Sequence, residues 1–320
     1  MPKSYDHVLS FVLDHPWAIT DSMRVLIAGL LARRILGEEP DATELAAFVK
    51  RSNEPKPGRG GVAVIPIQGT IAPHMNAFGS MSGGTDFDSL TAHLHAAVDD
   101  ERVRTVVFDI DSPGGNVAGA TEFAREVLAA RSKKTIVAQA NHLLASAAYW
   151  PMACCTEIVA SPSSLVGAIG VVTMHTDISE ALAKNGIKRD VIAAGKFKGE
   201  SFDGGPLSEE TRAHIKALVD GAYGQFVGDI VKGRGVKASD VRNGYGEGRL
   251  VRAADALELG MIDRVATLAD TLGRYLPTPA ANPDPSSSPR ATDQELPLSA
   301  ATSQERAAAT QRQKLDLLSL

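Results

Sequence analysis

The chain has 320 residues, 44% of them hydrophobic and 22% charged, with a formal net charge of -5. That size allows one large domain with extensions or two small ones, and the composition is that of a folded globular protein. The mildly acidic balance gives no field that would draw in phosphate backbones or anionic lipid, which argues against nucleic acid and membrane surfaces as partners. The two cysteines, Cys154 and Cys155, are adjacent, so they staple nothing distant and read as buried, reduced thiols.

In chain order, residues 1–57 are expected to form a helical N-terminal extension and linker. The apolar run VLIAGLLA within Met23 to Leu36 is bracketed by Arg24, Arg33 and Arg34. It falls short of the roughly 20 apolar residues that a spanning helix needs, so an amphipathic helix is expected there. No secretory leader is read, and a cytoplasmic location is expected. The run RSNEPKPGRGG, from Arg51 to Gly61, is polar and rich in Pro and Gly, as a linker is.

Residues 58–268 alternate between short apolar runs and amphipathic stretches. Val62–Ile67, Thr105–Ile110, Thr135–Ala140, Glu157–Ala160, Ile169–Met174 and Asp190–Ala193 are rich in Val and Ile and are expected as strands. Between them, Asp86 to Val98 puts Phe87, Leu90, Leu94 and Val98 on one helical stripe, and a second helix follows Asn116 with Phe123 and Val127 inward. The longest helix is expected from Ser208 to about Lys232. Ser208 is its cap, and Ile215, Leu218, Val219, Phe226, Val227 and Ile230 form its apolar face. This alternation predicts an α/β domain with mainly parallel strands and flanking helices. Residues 269–320 are expected to be a tail, since PTPAANPDPSSSPR is too rich in Pro and Ser to pack a core.

Three sites carry chemistry. In Asp111-Ser112-Pro113-Gly114-Gly115-Asn116 the glycines let a strand-to-helix turn expose its backbone N–H groups, which are donors suited to an oxyanion. An ordinary tight turn explains that run equally well. In the run from Asn141 to Pro151, proline fits only a first helical turn, so a helix starts near Ala147 or Ala148. Ser146 then stands at the positive end of that helix, among small residues that leave its hydroxyl reachable. The plainer reading is a small serine packed between helices. In Ala194 to Glu200, Lys198 or Lys196 can act as a base only if burial lowers its pKa from about 10.4. A solvated surface lysine is the plainer reading there.

Taken together and in order, DSPGG, ASAAYW, GAIGVV, GKFKG and GRLVRAADALELGMID resemble the signal peptide peptidase A (protease IV) family of Ser-Lys proteases, over roughly Val62 to Val265. The resemblance implies a ClpP/crotonase-like fold, Ser146 as nucleophile, Lys198 as general base, and oxyanion donors at the N–H groups of Gly115 and Ala147. Lys196 does not fall on the family's lysine position. Membrane-anchored members carry Gly after the nucleophile and read GSIGV, where this chain has Ala147 and Gly167-Ala168-Ile169-Gly170. Another polar group must then orient Lys198, with Ser164 as the candidate. The SAAYW form and the run HPWAIT are more similar to the phage head-maturation branch.

That branch implies an endopeptidase without metal or organic cofactor that cleaves peptide bonds in capsid or scaffold proteins and in itself. It also implies a homo-oligomer working in the host cytoplasm or the assembling procapsid. The tail, in the place of a scaffold-like segment, is then expected to be cut beyond about Leu276. Rival readings are a triad built on His142 or His175, an acyl-CoA enzyme of the crotonase type, a housekeeping signal-peptide-peptidase-like enzyme, and a non-catalytic capsid assembly protein.

Overall fold

The computed structural model describes residues 17–20, 56–73, 84–200 and 202–276. The amphipathic helix expected at Met23–Leu36 and the cut expected beyond Leu276 lie outside them. The first elements are β1 (Trp17–Ile19), β2 (Lys56–Arg59), β3 (Val62–Gln68), β4 (Ile71–Ala72) and β5 (Thr85–Asp86), followed by helix α1 (Phe87–Asp99). Asp86 caps α1, its Oδ1 accepting the Ser89 N–H at 2.7 Å. Then come β6 (Thr105–Ser112), β7 (Gly114–Asn116), α2 (Ala120–Ala130), β8 (Thr135–Ala145), the short α3 (Tyr149–Met152), β9 (Glu157–Ala160) and β10 (Leu165–Gly167). The last part holds α4 (Ser179–Lys184), α5 (Glu209–Arg234), α6 (Ala238–Gly244), β11 (Leu250–Arg252), α7 (Ala253–Glu258), β12 (Arg264–Val265) and α8 (Leu268–Tyr275).

The main sheet runs β11-β10-β8-β6-β3-β2, with β9 also paired to β8 and β12 to β9. Within this sheet the pairings β3/β6, β6/β8, β8/β9, β8/β10 and β9/β12 are parallel, and β2/β3 and β10/β11 are antiparallel. The expected α/β class with a mainly parallel sheet is therefore what forms. Both faces of the central strands are covered, which is why they read as continuous apolar runs. Ile65, Ile67, Val106, Phe108, Ile110 and Ile136 pack under the helices, with Phe87, Leu90 and Leu94 of α1 and Phe123 and Val127 of α2. Val62, Val64, Val107, Val137 and Val159 point to the other face and are closed over by Leu272 of α8.

Helix α8 crosses the boundary at which the tail was expected to begin. Thr267 and Asp270 form a capping box at its start, and Thr271 Oγ1 donates to the buried Gln139 Oε1 at 2.7 Å. At the other end, the described part of the expected helical extension is a strand, β1. Two runs expected as strands are not. Within Ile169–Met174 only Val172 makes an isolated bridge, to Trp17, and Asp190–Ala193 is exposed coil. Helix α5 forms as expected, capped by Ser208, but only Phe226, Val227 and Ile230 of its expected apolar face are buried.

The far end of α5 is tied down by an ion pair. Arg234 holds both Asp263 carboxylate oxygens at 2.8 Å, and the Ile158 N–H donates to the same carboxylate at 2.8 Å. Burial raises the Asp263 pKa, but the Arg234 guanidinium and the Ile158 N–H outweigh it, and the group is held below 3.8. A depressed carboxyl stabilises the fold above its unfolded pKa, and that contribution is lost as pH falls through the folded value. Asp263→Asn is therefore expected to cost about 2 kcal/mol at neutral pH, since the pair is only part-buried. The gap in Tm between variant and wild type should close below about pH 4 when melting is followed across pH.

Candidate active site

Ser146 follows the last residue of β8 and precedes the turn into α3, so the chain must reverse sharply at this residue. It does so with Ser146 at φ 55°, in the left-handed region that costs a non-glycine residue about 1–2 kcal/mol. The surroundings fix this conformation. The Ser146 N–H donates to the Gly167 carbonyl at 2.7 Å, and the Ser146 carbonyl accepts the Trp150 N–H at 3.0 Å. Two neighbours anchor the turn beyond it. Tyr149 Oη donates to the Met261 carbonyl at 2.8 Å. Trp150 stacks on Phe226 at 4.4 Å, and its Nε1 donates to the buried Asp229 at 2.9 Å. The run ASAAYW thus combines small residues around Ser146 with two large anchors behind it. Helix α3 begins at Tyr149 after Ala148, close to where Pro151 required it.

The Ser146 side chain is 1% exposed, and its Oγ has no hydrogen-bond partner among the described residues. A buried hydroxyl left unpaired costs about 1–3 kcal/mol, so a position that keeps one invites explanation.

The Pro113-Gly114-Gly115 turn lies beside it. Ser112 Oγ donates to the Gly69 carbonyl at 2.6 Å and accepts the Gly114 N–H at 3.2 Å, which leaves the next N–H, that of Gly115, for another acceptor. Gly114 has φ 94°, and a Cβ there would lie 2.8 Å from both the Ala147 nitrogen and the Ser146 Cβ. A Cβ on Gly115 would lie 1.7 Å from the Ile71 carbonyl oxygen. Gly115→Ala is accordingly expected to cost about 3 kcal/mol and to displace the turn, with Tm and peptide cleavage falling together.

The two N–H groups proposed as oxyanion donors meet on one atom. Ala147 N–H donates to the Ala18 carbonyl oxygen at 3.0 Å. Strand β1 pairs antiparallel with β7, Ala18 opposite Gly115. Trp17 exchanges both of its backbone hydrogen bonds with Val172, each at 2.9 Å, and Thr20 N–H donates to the Pro113 carbonyl at 3.0 Å. In an antiparallel ladder these alternate, so Ala18 faces β7 and its carbonyl also accepts the Gly115 N–H.

The other sequence candidates fall elsewhere. Lys198 is exposed, and no hydrogen bond or ion pair reaches its Nζ among the described residues. Lys196 pairs with Glu210 at 3.3 Å on the surface. The buried Ser164 hydroxyl, the candidate for orienting Lys198, lies 3.0 Å from the Ala140 carbonyl and 2.8 Å from that of Asn141, and no hydrogen bond joins it to Lys198 among the described residues. His142 does have a carboxylate behind it, Asp111 at 3.2 Å, which the sequence did not reveal. His142 is exposed and Asp111 half-buried, and neither that pair nor His175, bonded to the Gly205 carbonyl at 2.8 Å, reaches Ser146 Oγ. Burial pushes the Cys154 thiol up to about 12, so that group is no nucleophile.

Residues 129–275 match the family model Peptidase family S49. Head-tail preconnector protein GP5 of Enterobacteria phage P21 is 29% identical over 212 residues, which is 66% of this chain and 42% of that protein. Capsid assembly protease C of Escherichia phage lambda is 25% identical over 290 residues, 84% of this chain and 65% of that one. Protease 4 of Haemophilus influenzae is 24% identical over 215 residues, 67% of this chain and 34% of that one. The chain therefore spans less than two thirds of the length of each of these relatives.

Proposed function

We propose, from the match of residues 129–275 to peptidase family S49, that this chain is a serine endopeptidase with Ser146 as nucleophile and Lys198 as general base. The observation that carries the reading is the convergence of the Gly115 and Ala147 N–H groups on one carbonyl oxygen beside a buried, unpaired serine hydroxyl. Neutral Lys198 takes the proton of Ser146 Oγ as the oxygen attacks a peptide carbonyl. The charge that develops on the carbonyl oxygen lies against the two backbone donors, which are already oriented. The lysine ammonium then protonates the leaving amine, and water hydrolyses the acyl-enzyme with the lysine as base again. These residues supply nucleophile, base and oxyanion donors, so the mechanism calls on no metal or organic cofactor.

The base must be brought in, because Lys198 is exposed in the single chain. Its segment also exposes Ile192 at 93%, Phe202 at 63% and Phe197 at 49%, and Leu218 on α5 is 55% exposed. Apolar side chains presented together favour burial against another surface. We propose that this surface is a second copy of the chain, so that the working enzyme is a homo-oligomer. The biological substrates proposed are capsid or scaffold proteins, by likeness to the two phage relatives. Activity in the host cytoplasm or assembling procapsid belongs to the same proposal.

A fluorophosphonate probe is expected to label the wild-type chain on Ser146, as mapped by peptide mass spectrometry, and to leave Ser146→Ala unlabelled. Labelling at another serine, with casein cleavage intact in Ser146→Ala, would refute the assignment.

A further inference from the structure

The strand Trp17–Ile19 lies where a substrate would lie. It runs between β7 on one side and Val172 on the other, pairing with both, as an extended peptide added to a protease groove does. Its register is set by hydrogen bonds on either side of Ala18, and the Ala18 carbonyl oxygen takes the two donors proposed for the oxyanion. The point at which a Gly114 Cβ would stand is 2.3 Å from that oxygen and 2.8 Å from the Ser146 Cβ, so the absence of a side chain there lets the carbonyl and the serine approach. Ala18 is fully buried, and Trp17 and Ile19 are nearly so. A merely structural strand needs no carbonyl placed on both donors next to an unpaired hydroxyl.

We propose that residues 17–20 are the enzyme's own occluding substrate, and that Ser146 cleaves the Ala18–Ile19 bond. This rests on the serine protease reading above and adds to it a target bond and a preference for a small residue before the cut. In the cleavage, Ser146 Oγ bonds to the Ala18 carbonyl carbon while its proton passes to the base. The Ala18–Ile19 C–N bond then breaks, and the Ile19 nitrogen leaves with that proton as an amine. Water hydrolyses the Ala18 ester and restores the serine. Residues 1–18 depart, Ile19 becomes the new N-terminus, and the groove opens to other chains. Until the exposed Lys198 is brought to Ser146 the strand stays uncut, so the chain is held inactive as made.

The test uses the full chain, wild type and Ser146→Ala, incubated at high concentration and followed by intact mass and N-terminal sequencing. A product beginning at Ile19 is expected from wild type and not from Ser146→Ala. A synthetic peptide of residues 15–22 should be cut by wild type between its Ala and Ile. Ala18→Lys cannot seat in the buried position. It should speed fluorophosphonate labelling of Ser146 at least tenfold and abolish the cut. Wild type that degrades casein while its own Ala18–Ile19 bond stays whole would overturn the proposal and make β1 a permanent wall of the site. Unchanged labelling in a folded Ala18→Lys would overturn the occlusion. Wild type that neither degrades casein nor takes up the fluorophosphonate would instead sink the protease reading, and this proposal with it.

Discussion

Ser146→Ala is expected to abolish peptide hydrolysis, a loss of about 10⁴-fold or more in kcat, while raising Tm. The two effects have one origin. Catalysis needs a hydroxyl held close to the carbonyl it will attack and not bound to anything else, and the Ser146 Oγ is buried with no partner among the described residues. The folded state carries the cost of that unpaired group, about 1–3 kcal/mol, which a methyl group does not carry. For a domain of this size, 1 kcal/mol moves Tm by about 2–4 °C, so a rise of about 2–12 °C is expected by calorimetry. Ser146→Gly should be no more stable than Ser146→Ala. Glycine relieves the left-handed φ of 55°, worth about 1–2 kcal/mol, but leaves a small void and gives the unfolded chain back about 0.5–1 kcal/mol of freedom. Wild-type turnover in Ser146→Ala would end the assignment. A fall in Tm would mean that the hydroxyl has a structural partner.

Much of the scaffold was legible because its cause is local. The apolar runs of β3, β6, β8 and β9, the Ser208 cap, and the small-residue run ending in Tyr149-Trp150 each declare themselves within a few residues. What was not legible depends on distant partners. Strand β1 is three residues long, and its pairing partners are about a hundred and more residues away, at Gly114–Asn116 and Val172. No period marks so short a segment. Ile169–Met174 and Asp190–Ala193 show the opposite failing, since an apolar β-branched run looks the same whether it enters a sheet or stays in coil. Helix α8 could have been found from Thr267 and Asp270 with Leu268 and Leu272 at helical spacing, a signal hidden by the Pro-rich run that follows. Asp111 behind His142 needed the tertiary fold, because the two residues lie on neighbouring strands β6 and β8.

Lys198→Arg is expected to be as inactive as Lys198→Ala, with kcat down about 10³-fold or more, whereas Lys196→Arg keeps most of its activity. A guanidinium stays charged near neutral pH and cannot take the Ser146 proton, so conserving charge rescues nothing if the role is that of a base. If Lys198 only held a loop or bound a carboxylate, arginine would serve, and the two variants would differ. The exposure of Lys198 in the single chain adds a sharper consequence. Should the base reach Ser146 from a neighbouring copy, mixing inactive Ser146→Ala with inactive Lys198→Ala ought to restore part of the activity, since some sites would pair an intact serine with an intact lysine. Should the arm fold back on its own chain, the mixture stays dead while Lys198→Ala alone remains silent. Full activity in Lys198→Ala, measured on casein at neutral and alkaline pH, would exclude it as the base. Loss of activity in Lys196→Arg alone would move the role to Lys196, whose surface pairing with Glu210 would then have to break before catalysis.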